Sequence, residues 1–268
     1  MPYPAGMLRG KTALVTGSSQ GIGLGVARAF VTAGARVVLT SERPIEQCPE
    51  VAELVKTAGA SYIAEDLLDE GAPVRLVREA DARLAGIDIL VNNVGTWREP
   101  PLAEMTRADF DAIFHLNVWP AIAVTREFVG CAQARSRHGR ILFTTSINGA
   151  RSEPRHTLYD ASKGAVNALT RQLAIELAPL GFTTAAVAPG MVETPLTDFG
   201  LRSDPPARRA IEAQIPLRRM ATVEDIAGWY VFLASEAASY ATGAVFTVDG
   251  GLDAQQMANR VIAEAELK

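Results

Sequence analysis

Tyr159 and Lys163 stand at i and i+4 in YDASK (159–163), Ser146 lies upstream, and TGSSQGIG occupies 16–23. A phenol with an ordinary pKa of about 10 is a poor acid or base at neutral pH. On a helix, i and i+4 share a face, which places the Lys163 ammonium beside the Tyr159 hydroxyl. A positive neighbour favours tyrosinate and lowers that pKa towards neutrality. Tyr159 would then donate and accept the proton of a carbonyl/alcohol pair, with the Ser146 hydroxyl bonding the reacting oxygen. A surface helix also carries Tyr–Lys pairs, so the meaning of this one depends on the elements around it.

Gly17, Gly21 and Gly23 stand between an apolar run ending at residue 16 and the amphipathic stretch IGLGVARAFVTAG. At such a junction the chain must turn tightly, let a phosphate approach the backbone and start a helix whose free N–H groups attract an anion. The spacing is GxxxGxG rather than the commoner GxGxxG. A plain tight turn uses glycine too, but the strand before and the helix after favour a nucleotide site.

Strand and helix signals alternate along the whole length. Short β-rich runs lie at 12–16, 35–40, 61–65, 87–92, 140–145, 182–188 and 244–248, and their near-continuous hydrophobicity suits a parallel sheet buried on both faces. Helical patterns fill 22–33, 45–58, 72–85, 106–134, 158–179 and 222–235. This order predicts a doubly wound α/β sheet of seven strands in one domain. The segment 190–221, rich in Pro, Arg and small residues, is long for an α/β connection and reads as a mobile lid over a site.

The net charge of −4 argues against a nucleic-acid partner. No apolar run is long enough to span a bilayer, and MPYPAGMLRG lacks the basic start and apolar stretch of a secretory signal. Cys48 and Cys131 are too few for a disulfide framework and suit a reducing cytoplasm. Three scattered histidines make a metal site unlikely on spacing grounds, so none is expected.

Together these motifs identify the chain as similar to the short-chain dehydrogenase/reductases. The marks stand in order over about residues 8 to 252: TGSSQGIG, Asp66 after the third strand, NNVG (92–95, where NNAG is more usual), Asn117, Ser146, YDASK, Pro189-Gly190 with Thr194, and DGG (249–251). The resemblance implies a Rossmann fold with a core at 8–252 and a tail at 253–268. The activity implied is an NAD(P)-dependent interconversion of alcohol and carbonyl by hydride transfer, with Asn117, Ser146, Tyr159 and Lys163 as the catalytic set. It implies that Gly17, Ser19, Gln20, Gly21, Ile22 and Gly23 line the cofactor phosphates and ribose. Asp66 would hold the adenine amino group with Leu67 packed beside the ring. Asn93 and Gly95 would border the adenine ribose, while Asn92 ties strands together. Asn117 would interrupt its helix and hold a water linking Lys163 to solvent. Pro189, Val192 and Thr194 would embrace the nicotinamide amide, and Lys163 would hold the nicotinamide ribose.

Coenzyme choice rests on TSERP (40–44). Alignment puts Ser41 where an acid binds the ribose of NAD, followed by Glu42, which repels a 2′-phosphate, and Arg43, which accepts one if turned inward. Gln20 adds no positive charge, and the balance leans to NAD over NADP. Trp97, Arg98, Arg151, Glu153, His156, Met191 and Phe199 fall on loops expected around the nicotinamide end, a mixture that suits a small polar sugar or polyol. The C-terminal third resembles glucose 1-dehydrogenases and 3-oxoacyl-carrier-protein reductases alike. Arg137 matches one basic position of the latter, whereas Leu180 stands where a second arginine is expected. A non-catalytic, cofactor-holding redox sensor is a third reading, although such proteins usually lose the Tyr or Lys retained here. Segments 106–134 and 158–179 are apolar over more than one stripe and need a second partner. With the family's two-fold contacts, this implies a homotetramer.

Overall fold

The apolar runs become strands because helices cover both of their faces. In the computed structural model, which describes residues 4, 6–198 and 203–255, the strands are β1 (Thr12–Val15), β2 (Arg36–Ser41), β3 (Ser61–Ala64), β4 (Ile89–Asn92), β5 (Arg140–Thr144), β6 (Thr183–Pro189) and β7 (Ala244–Val248). They form one parallel sheet in the order β3-β2-β1-β4-β5-β6-β7. The helices are α1 (Gly21–Thr32), α2 (Pro49–Ala58), α3 (Ala72–Leu84), α4 (Arg107–Asn117), α5 (Trp119–Ala134), α6 (Thr157–Leu177), α7 (Pro205–Glu212) and α8 (Val223–Ala234).

Successive strand residues point to opposite faces, and the core divides accordingly. Ala13, Val15, Val37, Leu39 and Val91 pack with Leu24 and Phe30 of α1 and Val231 of α8. Leu14, Val38, Leu90, Ile141 and Phe143 pack with Leu76 of α3, Phe128 of α5 and Val166 of α6. Strand order reverses between β1 and β4, and in a doubly wound sheet the crevice outside the strand C-termini at that reversal is where ligands bind. Residues 16–23, 92–95, Ser146 and Pro189 all issue from those ends.

Three helical expectations are corrected. The 106–134 stretch is two helices: α4 opens with a Thr106–Asp109 capping box and stops at Asn117. Val118 marks the break, with φ of −119° distorted but still in the right-handed region, and Pro120 in the first turn of α5 has no N–H to continue the ladder. The 45–58 stretch is a short turn at 45–47 followed by α2, which starts at Pro49. Within 190–221 lies α7, unforeseen, with the Asp204 side chain accepting from the Ala207 N–H. That segment is pinned at its base, where Glu193 N–H donates to Ala221 O and Ala221 N–H to Met191 O, each at 2.9 Å. It has its own small core of Ile215 and Met220 with Met191, Ala207 and Ile211. Among the described residues no helix is long and apolar enough to cross a membrane. Of the 253–268 tail, residues 256–268 lie outside the described residues.

Candidate active site

The glycine loop is built to bring backbone close to a ligand. Gly17 and Gly21 have φ of +59° and +55°, the left-handed region that disfavours a side chain. A Cβ on Gly23 would lie 2.3 Å from Gly17 O and 2.5 Å from Asn93 Nδ2, so only glycine lets α1 begin there. Gln20 precedes α1 without a side-chain capping bond, leaving first-turn N–H groups directed at the crevice. Asn93 lines the cavity and also braces the loop: its Nδ2 donates to Gly17 O and its Oδ1 accepts from Thr144 Oγ1, both at 2.9 Å. Asn92 Nδ2 donates to Thr125 Oγ1 at 3.0 Å, tying β4 to α5 and not to another strand.

One cavity of about 460 Å³ runs from Arg43, Asp66 and Leu67 past the glycine loop to Ser146, Tyr159, Lys163 and Thr194. Ser19, Ile22, Ser41, Glu42, Gly95, Pro189 and Val192 also line it; Gly23 and Asn117 stand behind its wall. Asp66 Oδ1 accepts from Leu68 N–H at 3.0 Å, which orients the carboxylate at the loop, and Leu67 is buried beside it.

At the other end, the buried Lys163 donates from Nζ to Thr144 O at 3.1 Å and sits 5.7 Å from the centroid of the Tyr159 ring. Burial lowers the Lys163 pKa to about 8. The expected depression of Tyr159 is not what the geometry gives. Burial pushes its phenol above the ordinary value, the hydrogen bond with Ser146 opposes this, and the Asp160 and Glu153 carboxylates add to the rise. The i,i+4 relation sets Lys163 against the ring face, and desolvation is the larger effect on the phenol. Ser146 Oγ accepts from Asn148 N–H at 3.2 Å and donates to Asn148 Oδ1 at 3.3 Å. Asn148 Nδ2 in turn donates to Asp160 Oδ1 at 2.8 Å. Asn117 does end its helix, but its amide is committed: Oδ1 accepts from Thr96 N–H at 2.8 Å, and Nδ2 donates to Thr96 O at 2.8 Å and Ser162 Oγ at 2.9 Å. A Cβ on Gly95 would come within 3.3 Å of both Asn117 Oδ1 and Lys163 Nζ, which explains glycine there.

Several expected substrate contacts are engaged elsewhere. Arg151 pairs with Asp253, Met191 packs in the α7 cluster, and Arg98 is exposed. Glu153 Oε2 lies 3.1 Å from His156 Nδ1. His156 packs edge-on between Trp97 and Tyr159, with centroids 5.6 and 5.5 Å away, and Trp97 Nε1 donates to Leu196 O at 3.0 Å. Phe199 lies outside the described residues. Among the described residues no cluster of His, Cys, Asp or Glu could hold a metal. Sequence reasoning missed Asn148 and also Glu99, whose carboxylate meets the start of α6.

The chain is similar to known proteins in sequence and in fold. Residues 17–253 match a family model described as enoyl-(acyl carrier protein) reductase, one of the short-chain type. The chain belongs to the short-chain dehydrogenase/reductase family. It is 34% identical to glucose 1-dehydrogenase of Gluconobacter oxydans, covering 94% of this chain and 96% of that one. It is 37% identical to 2-dehydro-3-deoxy-D-gluconate 5-dehydrogenase of Pseudoalteromonas atlantica, covering 91% and 96%. A crystal structure from Agrobacterium tumefaciens, described provisionally as a 2-deoxy-D-gluconate 3-dehydrogenase with bound NADP, superposes with a TM-score of 0.84. It is 35% identical, covering 92% of this chain and 98% of that one. As a member of this short-chain family the protein is an NAD(P)-dependent oxidoreductase acting on CH–OH groups.

Proposed function

We propose that this enzyme is an NADP-preferring dehydrogenase of sugars, polyols or sugar acids. The observation that carries the reading is the placement of Ser146, Tyr159 and Lys163 along one cavity with the glycine loop. The related dehydrogenases named above support the substrate class. A dinucleotide fits the residues present: the cradle excludes a Cβ at Gly23, and α1 begins uncapped by a side chain. Gly17, Ser19, Gln20, Gly21 and Ile22 would hold its phosphates, Asp66 and Leu67 its adenine, and Pro189, Val192 and Thr194 its nicotinamide. When bound, the nicotinamide supplies or accepts the hydride. Tyr159 passes a proton to the carbonyl oxygen, or takes one from the alcohol. Ser146 hydrogen-bonds that oxygen as charge builds there, a stabilisation of about 3 kcal/mol for a preorganised donor. Lys163 holds a positive charge beneath the ring and offers its ammonium to the ribose.

The sequence leans to NAD, whereas Arg43 in the TSERP turn and the NADP bound in the related Agrobacterium tumefaciens structure support NADP. Glu42 lines the cavity and its carboxylate lies 3.4 Å from Arg43 Nε, while Arg43 Nη1 donates to Gln20 Oε1 at 3.3 Å. Tyr62 fixes this turn by donating from Oη to Arg43 O at 2.5 Å, with Ser41 Oγ 2.8 Å from the same hydroxyl. A guanidinium held between Glu42 and Gln20 beside the Ser41 hydroxyl offers a place for a 2′-phosphate that would displace the Glu42 carboxylate. Arg43→Glu is expected to raise KM for NADP⁺ by about tenfold or more, equivalent to about 1.4 kcal/mol per tenfold, while sparing NAD⁺. Equal kcat/KM ratios for the two coenzymes before and after the substitution would remove Arg43 from the site.

The acyl-carrier alternative loses its one basic match, since Arg137 is bound to Asp88 and the Ala85 carbonyl. The sensor reading is disfavoured by the intact Ser146, Tyr159 and Lys163. For assembly, we infer a homotetramer. Trp119 and Ile122 on α5 and Ile175 on α6 are exposed, as are Trp229 and Phe232 on α8, so two separate apolar faces lack cover. Two isologous interfaces generate a D₂ assembly. Light scattering should give a mass four times that of the 28.6 kDa chain; a stable monomer at micromolar concentration would contradict it.

A further inference from the structure

The helix that carries Tyr159 and Lys163 has no cap of its own. His156, at its N-cap, makes no side-chain capping bond, and the first internal hydrogen bond runs from Asp160 N–H to His156 O. The N–H groups of Leu158 and Tyr159 therefore have no partner within α6. Glu99 supplies one from the loop after β4. Its Oε2 accepts from Tyr159 N–H at 2.7 Å and from Leu158 N–H at 3.0 Å, and Oε1 lies 3.2 Å from Leu158 N. A carboxylate at a helix start is favoured by charge and by the strength of charge-assisted bonds. Glu99 acts on the backbone of Tyr159 itself, so it fixes where the phenol stands relative to Ser146. The same loop is clamped three residues earlier, where Asn117 bonds both Thr96 N–H and Thr96 O and reaches Ser162 on α6. Trp97, between the two clamps, packs on His156 and holds Leu196 of the 190–221 segment. The loop is thus locked to α6 at both ends, with the wall of the site between.

We propose that Glu99 is a positioning residue: by capping α6 from across the crevice it sets the register of the Tyr159 hydroxyl with Ser146 and ties that register to the Trp97 wall. The proposal rests on Tyr159 being the proton donor and acceptor, and it makes a distinctive demand. One oxygen, Oε2, serves both amides, so an amide oxygen in the same place suffices, and Glu99→Gln should rescue what Glu99→Ala loses.

Two readouts decide it. In the cofactor-free protein, amide exchange at Leu158 and Tyr159 should quicken about tenfold or more in Glu99→Ala and stay near wild type in Glu99→Gln. With NADP⁺ and D-sorbitol as probes, Glu99→Ala should lower kcat by about tenfold or more and leave KM for NADP⁺ within about threefold, while Glu99→Gln keeps at least half of the wild-type kcat. Exchange and kcat both unchanged in Glu99→Ala would overturn the proposal. Equal loss of kcat in both variants with unchanged exchange would do so too, by assigning Glu99 to substrate contact. If Glu99→Ala does not fold, Glu99→Asp takes its place, since its shorter arm should lose the Tyr159 bond. If sorbitol is not turned over, amide exchange still decides. Tyr159→Phe run alongside separates the failures: an active Tyr159→Phe refutes the proton-transfer reading, whereas an inert one beside a fully active Glu99→Ala refutes the Glu99 proposal alone.

Discussion

Tyr159→Phe is expected to lower kcat by about 10²–10⁴-fold, the usual contribution of a positioned proton donor and acceptor, while coenzyme still binds. The substitution removes one hydroxyl and leaves the ring that packs between His156 and the Lys163 ammonium, so the walls of the cavity should hold their shape. Since burial raises the phenol and the Ser146 bond lowers it, alcohol oxidation should rise with pH as Tyr159 ionises, and this limb should vanish in the variant. Stopped-flow turnover and coenzyme titration by fluorescence check both halves. Activity within about tenfold of wild type would remove Tyr159 from proton transfer.

Lys163→Met separates what the ammonium does for catalysis from what it costs the fold. Its pKa is lowered to about 8 from an ordinary 10.5, so between those values the native state binds fewer protons than the unfolded one. Stability must then rise with pH through that window, and below about 8 the buried charge is a net cost. The full difference corresponds to about 3 kcal/mol, less about 1 kcal/mol for the lost bond to Thr144 O. Lys163→Met should therefore be as stable as wild type or more so at neutral pH, and should lack the stability gain from about pH 8 to 10.5. Turnover should fall by about 10²-fold or more because the group offered to the ribose is gone. The oxidation limb should stay in place, since Lys163, with a pKa of about 8, is already neutral where the raised Tyr159 phenol ionises. Urea denaturation at several pH values and kcat profiles measure the two effects. A variant both less stable and fully active would contradict the account on each count.

The strands were legible because buried parallel strands are apolar throughout, and all seven runs lie within one or two residues of the strands observed. Helix limits failed where a proline decided them. Pro120 splits the long 106–134 pattern, and Pro49 starts α2 late, both readable in principle from the missing N–H. Helix α7 hid among prolines and arginines because its apolar face, Ala207 and Ile211, covers only a small local cluster. Tyr159, Lys163 and Ser146 could be found by type and spacing. Glu99 and Asn148 could not, because their roles consist of contacts with backbone and side chains made only once loops have folded together. Arg151 and Glu153 looked like substrate contacts for the converse reason, as the sequence does not reveal Asp253 or His156 as their partners.

The fold and the site converge on hydride exchange between NADP and a hydroxylated substrate at the Tyr159 end of one cavity. Its most direct test is nicotinamide absorbance during incubation of the purified protein with NADP⁺ or NAD⁺ and a panel of sugars, polyols, sugar acids, secondary alcohols and 3-hydroxyacyl thioesters. Coenzyme should be reduced with at least one sugar, polyol or sugar acid, faster with NADP⁺ than with NAD⁺, and not at all in Tyr159→Phe. Reduction confined to the acyl thioesters, or none at all while coenzyme binds, would contradict it.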